Sequence, residues 1–157
     1  MTAISPNEQL DRDWDWYASD RNGMIGHFTT AGMRRLPKTV NQDRDAALRL
    51  IHYFDIEAPK SFPYVVRAGV EVDAGGWKDE SARSWYLASF INMASTGLFS
   101  YDTFLSGPGK YYLVAFPEKP IHVSQLPVEI GDLVTRTKSP YPFAKTTYIL
   151  EEETQEW

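Results

Sequence analysis

The stretch from Trp14 to Gly32, W-D-W-Y-A-S-D-R-N-G-M-I-G-H-F-T-T-A-G, constrains the chain most. Two alternating segments flank a turn-forming D-R-N-G, the pattern of a β-hairpin that opens a sheet. Asn22-Gly23 tolerates positive φ, and the Asp20 side chain can hydrogen-bond the turn backbone. Both a two-residue turn and a three- to four-residue loop with Gly23 at a bulge fit this text. The flanks are rich in Trp, Tyr, Ile, Phe and Thr, which suit a half-buried pleated surface. Period-two alternation puts Asp13 and Asp15 on one face and Trp14 and Trp16 on the other. A one-residue slip would bury the aspartates and expose both tryptophans, so the register is set by burial.

The rest of the chain supplies further elements. Ser5-Pro6 reads as the start of a helical turn within a short polar lead, residues 1–12. A helix begins near Thr39 or Asn41, with Thr39 and Gln42 spaced as a capping box, and stops at Pro59. Ala47, Leu50, Ile51 and Phe54 share its apolar face. Tyr64 to Val72 alternates as a strand, followed by a turn at Asp73-Ala74-Gly75-Gly76. A second helix starts from Asp79 or Ser81 and closes at Gly97 in the left-handed conformation. Its other face holds Trp85, Ala88, Ser89, Asn92 and Thr96, without a charge. That predicts a central helix covered on both sides, against the alternative of an exposed partner-binding face.

Beyond it, Ser106-Gly107-Pro108-Gly109 is a turn, and Tyr111 to Phe116 is a strand apolar on both faces. Ile121-His122-Val123 reads as a short strand, Val128-Glu129-Ile130 as a helical turn, and Thr146 to Leu150 as the last strand. An acidic tail follows at 151–157, with Trp157 as an anchor. The expectation is a single α+β domain over residues 1–157. It has a mainly antiparallel sheet of five or six strands and two principal helices, in the order β-β-α-β-α-β-β-β.

Charge and composition restrict function. The net charge is −5, and both ends are acidic: residues 1–20 hold five acids and one base, residues 151–157 four acids and no base. This balance argues against nonspecific nucleic-acid or membrane binding and suits a basic protein partner. The only basic cluster is Arg34, Arg35, Lys38, Arg44 and Arg49, and the nearby Phe28 and Phe54 read as core rather than as stacking platforms. No cysteine is present, so there is neither a thiolate metal site nor a cysteine nucleophile. The N-terminus lacks a basic region followed by an apolar one, so no signal peptide is expected and the expected location is cytoplasmic. The uncharged run Ser84–Tyr101 is too polar for a membrane span.

No motif carries catalysis. His27, His52 and His122 are far apart in sequence, and no metal site or cofactor is expected from them. Gly107-Pro108-Gly109-Lys110 lacks the spacing of a phosphate loop and precedes a strand. If the chain is an enzyme, His27 with nearby acids, Asp20 first, is the pair to test, in a small hydrolase or metal-dependent enzyme. The leading expectation is a noncatalytic protein-binding domain. Asp13, Asp15 and Asp20 would steer toward a basic partner, and Trp85 and Tyr141 would anchor it. A third expectation is a subunit of a homo-oligomer or phage-type assembly, with an apolar patch around Trp85 and Trp157.

The text D-W-Y-A-S-D-R-N-G-M-I-G-H-F-T-T-A-G resembles an opening found in small uncharacterised bacterial α+β proteins of the toxin-immunity type. The resemblance covers residues 13–37. It implies a compact acidic domain that occludes another protein, and it implies no catalytic residues.

Overall fold

The hairpin forms where alternation places it. The computed structural model describes residues 2–105 and 109–157. In it α1 (Pro6–Asp11) leads into β1 (Asp15–Ser19) and β2 (Ile25–Thr29). Ser5 caps α1 by accepting from the Glu8 amide, and Pro6 opens its first turn. β1 and β2 pair antiparallel from Asp15 opposite Thr29 to Ser19 opposite Ile25. Of the two loops considered, the longer forms. The Asp20 amide donates to Met24 O and the Gly23 amide to Asp20 O, with Gly23 at φ +75°.

A short α2 (Lys38–Asn41) precedes α3 (Arg44–His52), which runs into a π turn at Tyr53–Glu57. The Thr39–Gln42 capping box does not form. The Thr39 hydroxyl instead bonds Thr137 and the Trp157 carbonyl, and the Asp43 carboxylate caps α3 by accepting from the Ala46 amide. β3 is only Tyr64–Val66, not the strand to Val72 that alternation predicts. The last ladder bond is Arg67 N–H to Val114 O; Gly69 then takes φ +90° and the chain coils into α4 (Val70–Ala74). Arg67 ties this corner down by donating to Leu113 O and pairing with Asp73.

The second long helix, α5 (Glu80–Ala94), is capped by Asp79, and Gly97 closes the turn after it at φ +94°. α5 is not enclosed on both sides. Leu87, Phe90, Met93 and Ala94 are buried, whereas Ser84, Trp85, Ala88 and Ser89 are exposed. The strand that follows, β4 (Phe99–Thr103), has no counterpart in the predicted order, and β5 (Lys110–Pro117) pairs with it. Of the turn expected at Ser106–Gly109, all but Gly109 lies outside the described residues. Ile121–Val123 is no strand; it leads into a 3₁₀ turn at Val123–Gln125. α6 (Val128–Val134), β6 (Tyr148–Leu150) and α7 (Glu151–Thr154) complete the chain, so the acidic tail is partly helical.

The architecture is α+β, with one six-stranded mixed sheet ordered β1-β2-β4-β5-β3 and β6 paired to β5 beside β3. Four pairings are antiparallel, and the central β2–β4 pairing is parallel. Strand order departs from the predicted scheme because β4 is added, parallel to β2, and Ile121–Val123 is not a strand; helix count departs because α1, α2, α4, α6 and α7 are short helices beside the two principal ones. One sheet face carries an aromatic slab. Trp16 stacks on Phe28 at 4.1 Å and Phe28 on Tyr101 at 4.8 Å, with Tyr111, Phe143 and Trp157 edge-on or tilted around them. Packing so many large rings supplies much of the apolar burial that holds the sheet. On the other face α5 packs Leu87, Phe90 and Ala94 against Tyr112 and Val114. The β1 edge is closed by α3, α6 and the Thr137–Ser139 segment, whose backbone bonds Ser19.

Candidate acid-lined cleft

Strand register sets the cleft floor. Asp15 pairs with Thr29, and the parallel step Phe28–Tyr101 brings Asp102 beside Thr29. Asp102 in turn pairs with Tyr112. One row of side chains therefore crosses four strands as Asp15, Thr29, Asp102, Tyr112. The next row is Tyr17, His27 and Ser100. Alternation places both rows on the α5 side of the sheet. Asp13, two residues before Asp15, joins them. α5 contributes Tyr86, Ser89 and Phe90, and Ala74 and Leu105 complete the walls of a cleft of about 290 Å³.

Each polar group has a defined setting. Asp13 Oδ1 accepts from Thr29 Oγ1 at 2.5 Å and from the Ala31 amide at 2.8 Å. Ala31 sits at φ +50°, the one non-glycine with positive φ among the described residues, and the Asp13 bond helps to hold that strained residue. His27 is 2 % exposed. Its Nδ1 lies 2.8 Å from Ser100 Oγ, and its Nε2 lies 3.1 Å from Asp15 Oδ1. That second contact is within ion-pair range but out of line for a hydrogen bond, so Nε2 is buried without a hydrogen-bond partner. Asp102 Oδ2 accepts from the Tyr86 phenol at 2.6 Å and the Tyr112 phenol at 3.1 Å; its Oδ1 accepts from the Thr103 amide.

The electrostatics follow from this crowding. Burial pushes the Asp102 carboxyl above its ordinary value, the hydrogen bonds from Tyr86, Thr103 and Tyr112 oppose the shift, and the charge of Asp13 adds to it. Burial, then the charge of Asp102, drives the Tyr86 phenol strongly upward. Tyr17 is raised by burial and then by Asp15 and Asp55, and Asp55 is raised by burial and then by Asp15. Among the described residues, three carboxylates thus share the cleft lining with no lysine or arginine. A low-dielectric wall with charges of one sign raises the local concentration of the opposite sign.

The residues singled out from the sequence fall in different places. Asp13, Asp15 and His27 come together. Asp20 does not join them: it is buried at the hairpin turn, where Oδ1 accepts from the Asn22 and Met24 amides and Oδ2 from the Phe143 amide. Trp85 is 84 % exposed on α5, one turn from the cleft-lining Ser89. Leu105, in the cleft wall, is also exposed. Tyr141 is half-buried, donates to Glu153 Oε2 at 2.8 Å and leans toward Trp157. Trp157 is itself buried against Trp16 and Phe28, so it shares no surface patch with Trp85.

His52 and His122 are exposed and separate from His27. No group of three or more His, Asp or Glu side chains among the described residues is set to hold a metal ion. In the basic cluster, Arg34 donates to Thr103 Oγ1 and Phe104 O, Lys38 pairs with Glu156, Arg44 with Glu8, and Arg49 with Glu57. No helix among the described residues is long and apolar enough to cross a membrane.

Sequence reasoning missed Asp102, Tyr86 and Tyr112. One signal was available: Asp102 is the only charge between Arg83 and Lys110, at an alternating position of F-S-Y-D-T. A lone charge in such a run is costly to bury without partners, and here two phenols and an amide supply them. Comparison of the chain with family models, with curated proteins and with solved structures found no match.

Proposed function

We propose that this protein is a noncatalytic binding domain whose acid-lined cleft receives a basic segment of another protein. The observation that carries the reading is the cleft itself: three carboxylates and no lysine or arginine, beside the exposed Trp85 and Leu105. A charged socket next to exposed apolar side chains has the make-up of an interface centre, with aromatic anchors for affinity and charge for orientation and on-rate. Inhibition of a basic toxin, the role implied by the resemblance of residues 13–37, is one form of such binding.

The test uses a fluorescein-labelled lysine hexapeptide and its glutamate counterpart, read by anisotropy at low salt. Expected is binding of the lysine peptide alone, weakened about tenfold or more by Asp13→Lys with Asp15→Lys, chiefly through slower association. The control Glu118→Lys with Glu152→Lys makes the same change in net charge away from the cleft and is expected to leave most of the affinity. Equal loss in both double variants would reduce the effect to net charge and overturn the reading.

A second reading is acid–base catalysis by His27, favoured by one observation: the imidazole stands 3.1 Å from Asp15 inside the cleft. Its test is turnover of nitrophenyl esters, phosphates and glycosides that disappears in His27→Gln. No turnover by the unaltered protein would reject it.

A further inference from the structure

We infer that a basic groove beside the hairpin turn is a binding site for a phosphate monoester. It shares no lining residue with the acid-lined cleft and does not rest on the binding reading above. Three segments enclose about 670 Å³ here: the β1–β2 turn, the chain around His122 and the chain that follows α6. Arg21 stands on the first wall and Lys138 on the third. A parallel bridge sets Lys138 beside Ser19, two residues from Arg21, so both side chains reach one ligand. Both are exposed. Among the described residues neither is paired with a carboxylate, whereas Arg44, Arg49, Arg67 and Arg136 each are. The one carboxylate in the lining, Asp20, is 7 % exposed and already engaged by the Asn22, Met24 and Phe143 amides. Two uncompensated cations therefore face one hollow, and such a hollow concentrates anions.

The walls are fixed before any ligand arrives. The Val123 amide donates to Gly23 O at 2.8 Å, the Ser19 amide to Thr137 O at 3.0 Å and the Ser139 amide to Ser19 O at 2.8 Å. The His122 ring closes one end against Gly23, and the Ser124 amide holds it by donating to Nδ1 at 3.0 Å. Walls tied in this way leave less freedom to be lost on binding. Charge count then selects the ligand. A phosphate monoester gathers nearly two negative charges and three acceptor oxygens on one centre at neutral pH. A guanidinium fork takes two of those oxygens, and a neighbouring ammonium takes the third. A carboxylate or a phosphate diester brings a single charge and leaves one cation unmatched. Gly23, Val123 and Pro140 leave uncharged space beside the bases for the organic part. The glutamate hexapeptide spreads single charges along its chain and is not expected to compete.

The test is an amide NMR titration of the labelled protein at about pH 7.5, where the phosphate is mostly a dianion. The probes are n-butyl phosphate, n-pentanoate and n-butanol. Expected are shifts at residues 19–23, 122–124 and 135–140 with n-butyl phosphate, at about tenfold lower concentration than with n-pentanoate, and none with n-butanol. Arg21→Gln with Lys138→Gln is expected to weaken that binding about tenfold or more; Arg21→Gln alone serves if the double variant does not fold. The control Lys78→Gln with Lys119→Gln removes the same charge from exposed positions outside the groove and is expected to leave binding intact. The same dianion is carried by small phosphate esters and by phosphoserine. Tighter binding of a capped Gly-phosphoserine-Gly peptide than of n-butyl phosphate supports the groove and assigns it to a phosphorylated chain. The reverse order supports the groove and assigns it to a small ester. No groove shift with n-butyl phosphate at about 10 mM, equal potency of n-pentanoate, or equal loss in both double variants overturns the site.

Discussion

The Asp20 carboxylate accepts from three backbone amides, those of Asn22, Met24 and Phe143, joining the hairpin turn to a segment more than a hundred residues away. Asp20→Ala leaves the buried Phe143 amide and the part-buried Asn22 and Met24 amides without their partner, a loss of about 2 kcal/mol of stability. Urea unfolding measures it, and a loss below about 1 kcal/mol would show that water takes over these amides. Gly23 is constrained twice. Its φ of +75° disfavours any side chain, and a Cβ there would meet the His122 ring at 2.0 Å. Gly23→Ala therefore costs about 1–2 kcal/mol for backbone strain plus a steric part. In a His122→Ala background only the steric part is relieved, so a double-mutant cycle is expected to show coupling. Additive effects would mean that the ring swings away freely.

At the scale of elements, Asp43 is the test of α3. Its carboxylate caps the helix through the Ala46 amide and also meets Arg136 at 2.9 Å. Asp43→Ala is expected to cost about 1 kcal/mol, and Asp43→Asn less, because asparagine still caps. The Ala46 hydrogen bond is the chief cause holding this carboxyl below its ordinary value of 3.8, with Arg136 assisting. A folded value depressed below the unfolded one stabilises the protein above the unfolded value, and that contribution disappears as pH falls through the folded value. Acid unfolding of Asp43→Asn should lack this component; an unchanged acid limb would contradict the assignment.

The same scale shows what a reader of the sequence could see. The hairpin, a helix start at Asp79 or Ser81 and the Gly97 stop were legible because period-two alternation and turn chemistry are local; the structure selects Asp79. The shared face of Asp13 and Asp15 was legible too. What that face meets was not, because it depends on the parallel β2–β4 pairing that sets Thr29 beside Asp102 and bonds His27 to Ser100 across 73 residues. β3 misled for a related reason. Val66, Ala68, Val70 and Val72 alternate as in a strand, yet Gly69 turns the backbone, so Val70 is buried under α5 while Val72 is exposed. The uncharged outer face of α5 was visible, and exposure rather than coverage proved to be its state.

For the molecule as a whole, charge and shape point the same way. A chain of net charge −5 gathers Asp13, Asp15 and Asp102 around one hollow and stands Trp85 and Leu105 beside it. Long-range attraction between exposed charges is screened beyond about 8 Å at physiological salt. Association of the lysine peptide is therefore expected to slow as salt rises, while its dissociation changes little; dissociation carrying the whole salt effect would contradict charge steering. Trp85→Ala, by contrast, is expected to speed dissociation and to leave association unchanged, since an exposed anchor acts after encounter. The most direct test of the central claim is an amide chemical-shift map of the labelled protein titrated with the lysine hexapeptide. Perturbations are expected to be confined to residues 13–15, 27–31, 85–90 and 102–105, and to be lost in Asp13→Lys with Asp15→Lys. Perturbations centred on the Glu151–Glu156 segment, or persisting in that double variant, would contradict it.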